Sequence, residues 1–203
     1  MTKSNALMLL IFSLVLLWSG IHPHDGFTWA LEVAPAILGV LILLATGRRF
    51  RFSPFAYWVM LLHAVVLMVG GHYTYAEVPL FDWLREPMGW SRNNYDKVGH
   101  FMQGFAPAVI VRELLWRLDV VRKRGWLAFL TVCVCMAISA VYELIEWLVA
   151  VLSQQAADAF LGTQGYVWDT QSDMLWCLIG AISMLLLFGR LHQHAMAKIA
   201  QSH

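Results

Sequence analysis

The chain has 203 residues, 60% of them hydrophobic and only 13% charged, where a soluble domain carries roughly 25% charged residues. With a mean hydropathy of +0.62, this composition excludes an ordinary soluble fold and points to a single integral membrane domain over residues 1–203. Fourteen Lys and Arg against thirteen Asp and Glu leave no basic surplus for nucleic acid, and the shortage of Pro, Ser and charge excludes disorder.

Six apolar runs follow in chain order. Residues 6–21 are short for a crossing, which needs about 20 apolar residues and at least about 17. A signal peptide is the competing reading. Only Lys3 supplies a charged leader, however, and His22-Pro23-His24-Asp25 stands where a small-residue cleavage site belongs, so an uncleaved first helix is expected. The second run, 28–46, ends at Gly47 before Arg48, Arg49 and Arg51, and the third, 55–73, has Pro54 at its start, where a missing N–H costs little. Residues 74–94 are polar and rich in Trp, Pro and charge, and read as the longest loop. The fourth run, 95–116, contains Pro107, where a kink is expected. The fifth, 126–152, is longer than a vertical crossing requires, so it tilts or projects. A loop containing Gly and Gln leads to the sixth, 169–191. Continuous apolar blocks instead of alternation exclude a β-barrel, and backbone groups in lipid must be satisfied within each segment. The expected fold is therefore all-α, a polytopic bundle of six transmembrane helices. Cys133, Cys135 and Cys177 lie inside apolar runs without a C-x-x-C pair and read as small buried apolar residues.

Charge bias orients the bundle. An N-terminus inside puts Lys3, Arg48, Arg49, Arg51, Arg112, Arg117, Arg122, Lys123, Arg124, Arg190 and Lys198 on the cytoplasmic side of a bacterial inner membrane, with both termini cytoplasmic, and leaves Arg85, Arg92 and Lys97 outside. Trp29, Trp90, Trp147 and Trp168 then fall near the outer boundary and Trp58, Trp116 and Trp126 near the inner one, as interfacial belts require. The cluster from Arg112 to Arg124 is placed to meet anionic lipid headgroups.

This topology separates the acidic residues sharply: of thirteen, only Glu113 and Asp119 fall on the cytoplasmic side. The positive-inside rule gives Asp and Glu little weight, so the asymmetry points to a site. Three helices carry ionisable residues on one face each, because 3.6 residues make a turn. Asp96 and His100 are i and i+4, with Gln103 a turn deeper; Glu143 and Glu146 are i and i+3; Asp169 and Asp173 are again i and i+4. At about 1.5 Å of rise per residue, His100 and Asp173 each lie about 6 Å below their helix entrances and Glu146 about 9 Å below its exit, so the pairs converge on one layer. Imidazole is the commonest metal-binding side chain, and carboxylates suit hard or borderline divalent ions. Asp96, His100, Glu143, Glu146 and Asp173 therefore form the expected ligand set for a divalent metal ion of unspecified identity.

Plainer readings compete. Asp96 and Asp169 stand at helix N-termini and serve as caps, and Thr170 with Asp173 resembles a capping box. Glu143 and Glu146 escape this explanation, because the dipole late in a helix disfavours negative charge. His63, at mid-span, reads as a packing residue. His22, His24, Glu32 and His72 fall at the outer end as further candidates, although interfacial histidines are more often merely solvated. Lys97 faces away from Asp96, towards a lipid phosphate, a neighbouring acid or a substrate.

Asp96-Lys97-x-x-His100-Phe101, Tyr142-Glu143-Leu144-Ile145-Glu146-Trp147 and Gln164-Gly165 to Asp169-Thr170-Gln171-Ser172-Asp173 together resemble the YjdF-type bacterial inner-membrane family, a family of unknown function; the resemblance spans the chain and implies an inner-membrane location. From about Asp96 onward the chain is also similar to VanZ-like membrane proteins, with D-K-x-x-H followed by Asp173, Cys177 and Gly180, where Cys replaces the usual Asn and Glu146 replaces a Gln. Two functions are expected to compete. One is a metal-dependent enzyme acting on a lipid-linked or envelope substrate, with Glu146 or Asp169 as base and Lys97 at a headgroup phosphate. The other is a non-enzymatic protein that binds or moves a cation, proton or small solute. A third reading makes the carboxylates helix-packing glue.

Overall fold

The computed structural model describes residues 3–153 and 164–200. Most of the Gly- and Gln-containing loop before the last helix lies outside the described residues. Those residues form α1 (Lys3–Ser19), α2 (Gly26–Thr46), α3 (Pro54–Tyr73), α4 (Pro79–Met88), α5 (Tyr95–Arg117), α6 (Arg124–Ser153) and α7 (Asp169–Ser183), then a π-helical turn (Met184–Phe188) and α8 (Gly189–Ala200), with no strand among them. Four helices are long and apolar enough to cross a membrane: Gly26–Thr46, Pro54–Tyr73, Arg124–Leu152 and the continuous Asp169–Ile199. The protein is an all-α membrane protein. The apolar α1 is shorter, at 17 residues, and α5 is less apolar because Asp96, Lys97, Arg112, Glu113 and Arg117 interrupt it.

Local chemistry sets the helix starts. The Asp25 carboxylate accepts the Thr28 N–H at 2.6 Å, which caps α2 and holds that carboxyl below its usual range. Ser53 Oγ accepts the Ala56 N–H at 3.2 Å, with Pro54 following as the first residue of α3. Helix α4 corrects the reading of residues 74–94 as a loop. It runs from Pro79 to a left-handed Gly89, the Pro-first, Gly-last pattern of a short helix. Leu80, Trp83 and Met88 on it are exposed, which suits a helix lying in the interface.

α5 is the centre of the bundle. Its small and apolar residues, among them Ala106, Ala108 and Val109, pack with Val59 of α3, Cys135 of α6 and Cys177, Ala181 and Met184 of the last helix. A second cluster joins Phe12, Val33, Ala36, Ala64 and Met68 of α1, α2 and α3. Cys133 departs from the expected burial: it is exposed, while Cys135 and Cys177 are buried, because Cys133 and Cys135 sit about 200° apart around α6.

α5 and α7 touch backbone to backbone. A Cβ on Gly104 would lie 1.8 Å from the Cys177 carbonyl oxygen, and one on Gly180 would lie 2.0 Å from that of Phe101. Only glycine permits this approach. It fixes the two helices in register within two turns of Asp173 and one turn of His100.

The π turn is invisible in the sequence pattern. Five regular turns from Asp173 lead to residue 191, yet Leu191 is exposed and His192 is fully buried. The wide turn adds one residue and re-phases the rest of the helix. His192 Nε2 then meets Glu113 Oε2 at 3.0 Å, while Arg112 Nη1 lies 3.0 Å from His192 Nδ1. An arginine only donates, so Nδ1 accepts and Nε2–H donates to Glu113. Glu113 also accepts from Ser53 N–H and Oγ–H, both at 2.7 Å, and from Arg117 at 2.6 Å. This satisfied network ties α3, α5 and α8 together at the end opposite Asp96 and Asp169.

Candidate functional site

The carboxylate end of the bundle brings together side chains of α5, α6 and α7. Asp96, His100, Glu143, Glu146, Asp169 and Asp173 are all buried. Their neighbours Leu144, Ile145 and Trp147 are exposed, so the apolar side of α6 is turned outward and its two glutamates inward. His100 Nε2 lies 3.2 Å from Asp96 Oδ1 and 3.8 Å from Asp173 Oδ2, and its Nδ1 lies 3.8 Å from Glu143 Oε1. One ligand atom each from Asp96, His100 and Asp173 falls within 4.8 Å of the others. Two donors of one ion, with bonds of about 2.1–2.5 Å, sit at most about 5 Å apart, so this spacing fits a common cation. His100 Nδ1 lies 3.2 Å from Gln103 Oε1; a proton on Nδ1 donated to Gln103 leaves Nε2 free as a ligand, the usual outer-shell arrangement of a metal-binding histidine.

Charge supports the same reading. Among the described residues, Arg92 and the His100 imidazole are the basic groups in contact with these carboxylates. Arg92 pairs with Asp169 at 2.5 Å and with Asp96 at 3.5 Å, and its guanidinium lies over the Tyr166 ring at 5.1 Å. Glu143 Oε1 and Asp173 Oδ1 are buried without a hydrogen-bond partner. An unpartnered buried carboxylate oxygen is costly, and a cation or a proton relieves it.

Residues 164–168, just before α7, are tied to the start of α5 through Gln164. Gln164 Oε1 accepts the Asn93 N–H at 3.1 Å, and Gln164 Nε2–H donates to the Asn93 carbonyl at 2.9 Å. Gln164 and Gly165 both have positive φ, 48° and 81°, which turns the chain into Asp169. α7 begins at Asp169 after Trp168, which has no capping side-chain bond. Thr170 is therefore inside the first turn and the capping-box reading fails. Asp169 meets Arg92 instead.

A cavity of about 130 Å³ opens beside the cluster, with Glu32, Tyr75, Tyr142, Asp96, His100 and Glu146 at its polar end and His63, Pro35, Leu67, Pro107 and Ile138 deeper in. Pro35 and Ile138 are exposed on the bundle surface, so the deep part faces lipid between α2 and α6. Tyr142 O–H donates to Glu32 Oε2 at 3.2 Å, joining those helices above the gap. Outside the spans, burial beside the Glu32 carboxylate pushes the Tyr75 phenol well above its ordinary range.

The sequence candidates therefore divide. Asp96, His100, Glu143 and Asp173 come together, Glu146 lines the adjoining cavity, and Asp169 joins through Arg92. Lys97 does not: it lines a second cavity with Phe81, Trp90 and Trp176. Of the four outer-end candidates only Glu32 reaches the site. His24 pairs with Glu77 at 3.0 Å, His72 Nδ1 lies 3.0 Å from the Ser19 carbonyl oxygen, and His22 is exposed. His63 is at the cavity floor, its Nε2 without a partner among the described residues. Arg92, Tyr75 and Tyr142 belong to the site and were missed. Arg92 carries a signal of its own, since it stands four residues before Asp96, although its place in a polar outer stretch reads equally as a solvated charge.

Residues 4–194 match a family described as a predicted membrane protein, DUF2238. The chain belongs to this family. The inner membrane protein YjdF of Escherichia coli (strain K12) is 52% identical over 183 residues, covering 90% of this chain and 88% of that protein. This family membership and the apolar helices place the chain in the bacterial inner membrane. No solved structure matches. The family assignment rests on the YjdF-type relationship alone; the VanZ likeness carries no part of it.

Proposed function

We propose that this protein is a six-span inner-membrane enzyme with both termini in the cytoplasm. In this reading a divalent cation at Asp96, His100 and Asp173, with Glu143 beside them, acts on a lipid-linked or envelope substrate at the periplasmic boundary. The observation that carries it is the set of three buried ligand atoms within 4.8 Å, next to carboxylate oxygens that lack partners. Spans α1, α2, α3, α5, α6 and α7–α8 alternate in direction. The basic segments 48–51 and 112–124 share one end, which supports its cytoplasmic placement.

Bound there, the cation would polarise a phosphoryl or acyl oxygen, or activate water. Glu146, facing the cavity, is placed to accept a proton from that water. Asp169, fixed by Arg92, positions the Arg92 guanidinium and is a weaker choice of base. The lateral gap at Pro35 and Ile138 supports a substrate that arrives from the lipid phase, because an attached hydrocarbon chain would never leave its solvent.

The alternative, cation or proton movement, is favoured by His63 at the cavity floor. Against it, the packed layer of Ala106, Val109, Ala181 and Met184 lies between the cavity and the Glu113 network. The test is metal analysis of purified protein. Wild type is expected to hold one divalent ion, lost in Asp96→Asn/Asp173→Asn and in Glu143→Gln/Glu146→Gln. Equal, negligible metal in all three ends the cation-based proposal. Product release from lipid-linked phosphate donors then favours catalysis, and ion flux into vesicles without turnover favours transport.

A further inference from the structure

Around α5 from His100, on the side that carries Lys97 and Phe101, a cavity of about 280 Å³ lies between α4, α5 and α7, lined by Phe81, Trp90, Asn94, Lys97, Phe101 and Trp176. Its size is close to the lower bound of ligand pockets, roughly 300 Å³. Phe81 and Trp90 stack with ring centroids 6.1 Å apart, which makes one wall a rigid aromatic surface. Lys97 has no anionic partner among the described residues, although the residue before it, Asp96, belongs to the carboxylate cluster. Lys97 is turned about 100° around the helix from Asp96 and lines this cavity instead. Asn94 Oδ1 is buried without a hydrogen-bond partner, and Asn94 makes no capping bond at the start of α5. Beside the pocket, Leu175 and Ile179, which flank Trp176 on α7, are exposed and extend apolar surface along the span.

We propose that this cavity binds the headgroup of a phosphoethanolamine lipid of the surrounding bilayer. The phosphodiester meets the Lys97 ammonium. The lipid ammonium donates to Asn94 Oδ1 and lies against the Trp90 and Trp176 rings, whose faces attract cations. The acyl chains follow Leu175 and Ile179. Each feature answers an otherwise uncompensated group: a cation without an anion, an acceptor without a donor, and aromatic surface at a membrane boundary. Choline lipids offer the same phosphate and a cation for the rings, but their trimethylammonium has no N–H for Asn94. The proposal stands apart from the cation site, since the two use different faces of α5.

Native mass spectrometry of the detergent-purified full chain tests it, with equimolar phosphatidylethanolamine and phosphatidylcholine of identical acyl chains. Wild type is expected to retain the ethanolamine lipid about tenfold better, the worth of a hydrogen bond to a charged group. Asn94→Ala should bring the two lipids level without abolishing retention. Lys97→Gln should lose both, and Lys97→Arg should keep both. Equal retention of the two lipids by wild type overturns the proposal, as does wild-type retention by Lys97→Gln. So does competition by soluble phosphoethanolamine as effective as that by the lipid, which would assign the pocket to a water-borne phosphate. Metal content, read on the same samples, should be unchanged in all three variants, so failure here and failure of the cation site are separate outcomes.

Discussion

Gly104→Ala is the most informative single change at the candidate site, although it alters no polar group. The new methyl carbon would stand 1.8 Å from the Cys177 carbonyl oxygen, 2.7 Å from its carbonyl carbon and 2.9 Å from the Ala181 nitrogen. All three are backbone atoms, so no rotamer change relieves the clash. A carbon needs about 3.3 Å from a carbonyl oxygen, so α7 must retreat by about 1.5 Å. His100 is one turn from the contact and moves with α5. The His100 Nε2 to Asp173 Oδ2 separation, 3.8 Å in the native bundle, then grows to about 5 Å, the limit for two donors of one ion. If the proposed ion binds there, its affinity should fall by up to about a hundredfold, the upper end of what disturbed ligand orientation costs. Overpacking without relief costs about 3 kcal/mol of stability. Gly180→Ala should do the same, through the Phe101 carbonyl at 2.0 Å. Gly39→Ala is the control, because a Cβ there meets nothing within 4 Å. The assay is metal titration followed by a thermal melt of each purified variant. Native affinity and an unchanged midpoint in Gly104→Ala would refute the claim that this crossing sets the site.

Other perturbations separate the two polar ends. Arg92→Met strands Asp169 and Asp96 in a buried position and should cost about 3–5 kcal/mol; Arg92→Lys should recover little of it, since one ammonium replaces a fork reaching two carboxylates, and thermal midpoints check both. Ser53→Ala removes the α3 cap and one donor to Glu113, lowering stability by about 1–2 kcal/mol while metal content stays at the wild-type level. Asp25→Ala should cost about 1 kcal/mol as a lost cap. Because the Asp25 carboxyl sits below its ordinary value in the folded state, its contribution is full above that ordinary value and fades as pH falls through the folded one. Wild-type and Asp25→Ala melting curves should therefore converge only in acid, and convergence near neutral pH would contradict the capping role.

Much of the bundle was legible because apolar length is a strong signal in a membrane. The second, third, fifth and sixth runs became the four long apolar helices within a few residues at most ends. The misses have physical causes. Residues 79–88 are too polar to register as a run, yet Pro79 and Gly89 bracket a helix that needs only an interface to lie in. The π turn at Met184–Phe188 leaves no mark, because a run of Leu and Phe is apolar on every side and one added residue does not change that. Its effect shows only at His192, which regular geometry would not have turned to the interior.

The candidate site was legible in its acids and not in its closure. Same-face spacing identifies Asp96 with His100, Glu143 with Glu146, and Asp169 with Asp173, but spacing within a helix says nothing about which helices meet. That information sits in residues without functional groups. Asp96, His100 and Gly104 follow one another at i+4, as do Asp169, Asp173 and Cys177, with Gly180 close behind. The polar stripe and the contact stripe are thus the same stripe on each helix. This continuity helps a layer of carboxylates survive within a membrane: the glycines bring α5 and α7 close enough for His100 to face carboxylates of both helices and for Arg92 to pair with one on each. Lys97, one residue from Asp96 but turned about 100° around the helix, meets no carboxylate among the described residues and lines the aromatic pocket instead.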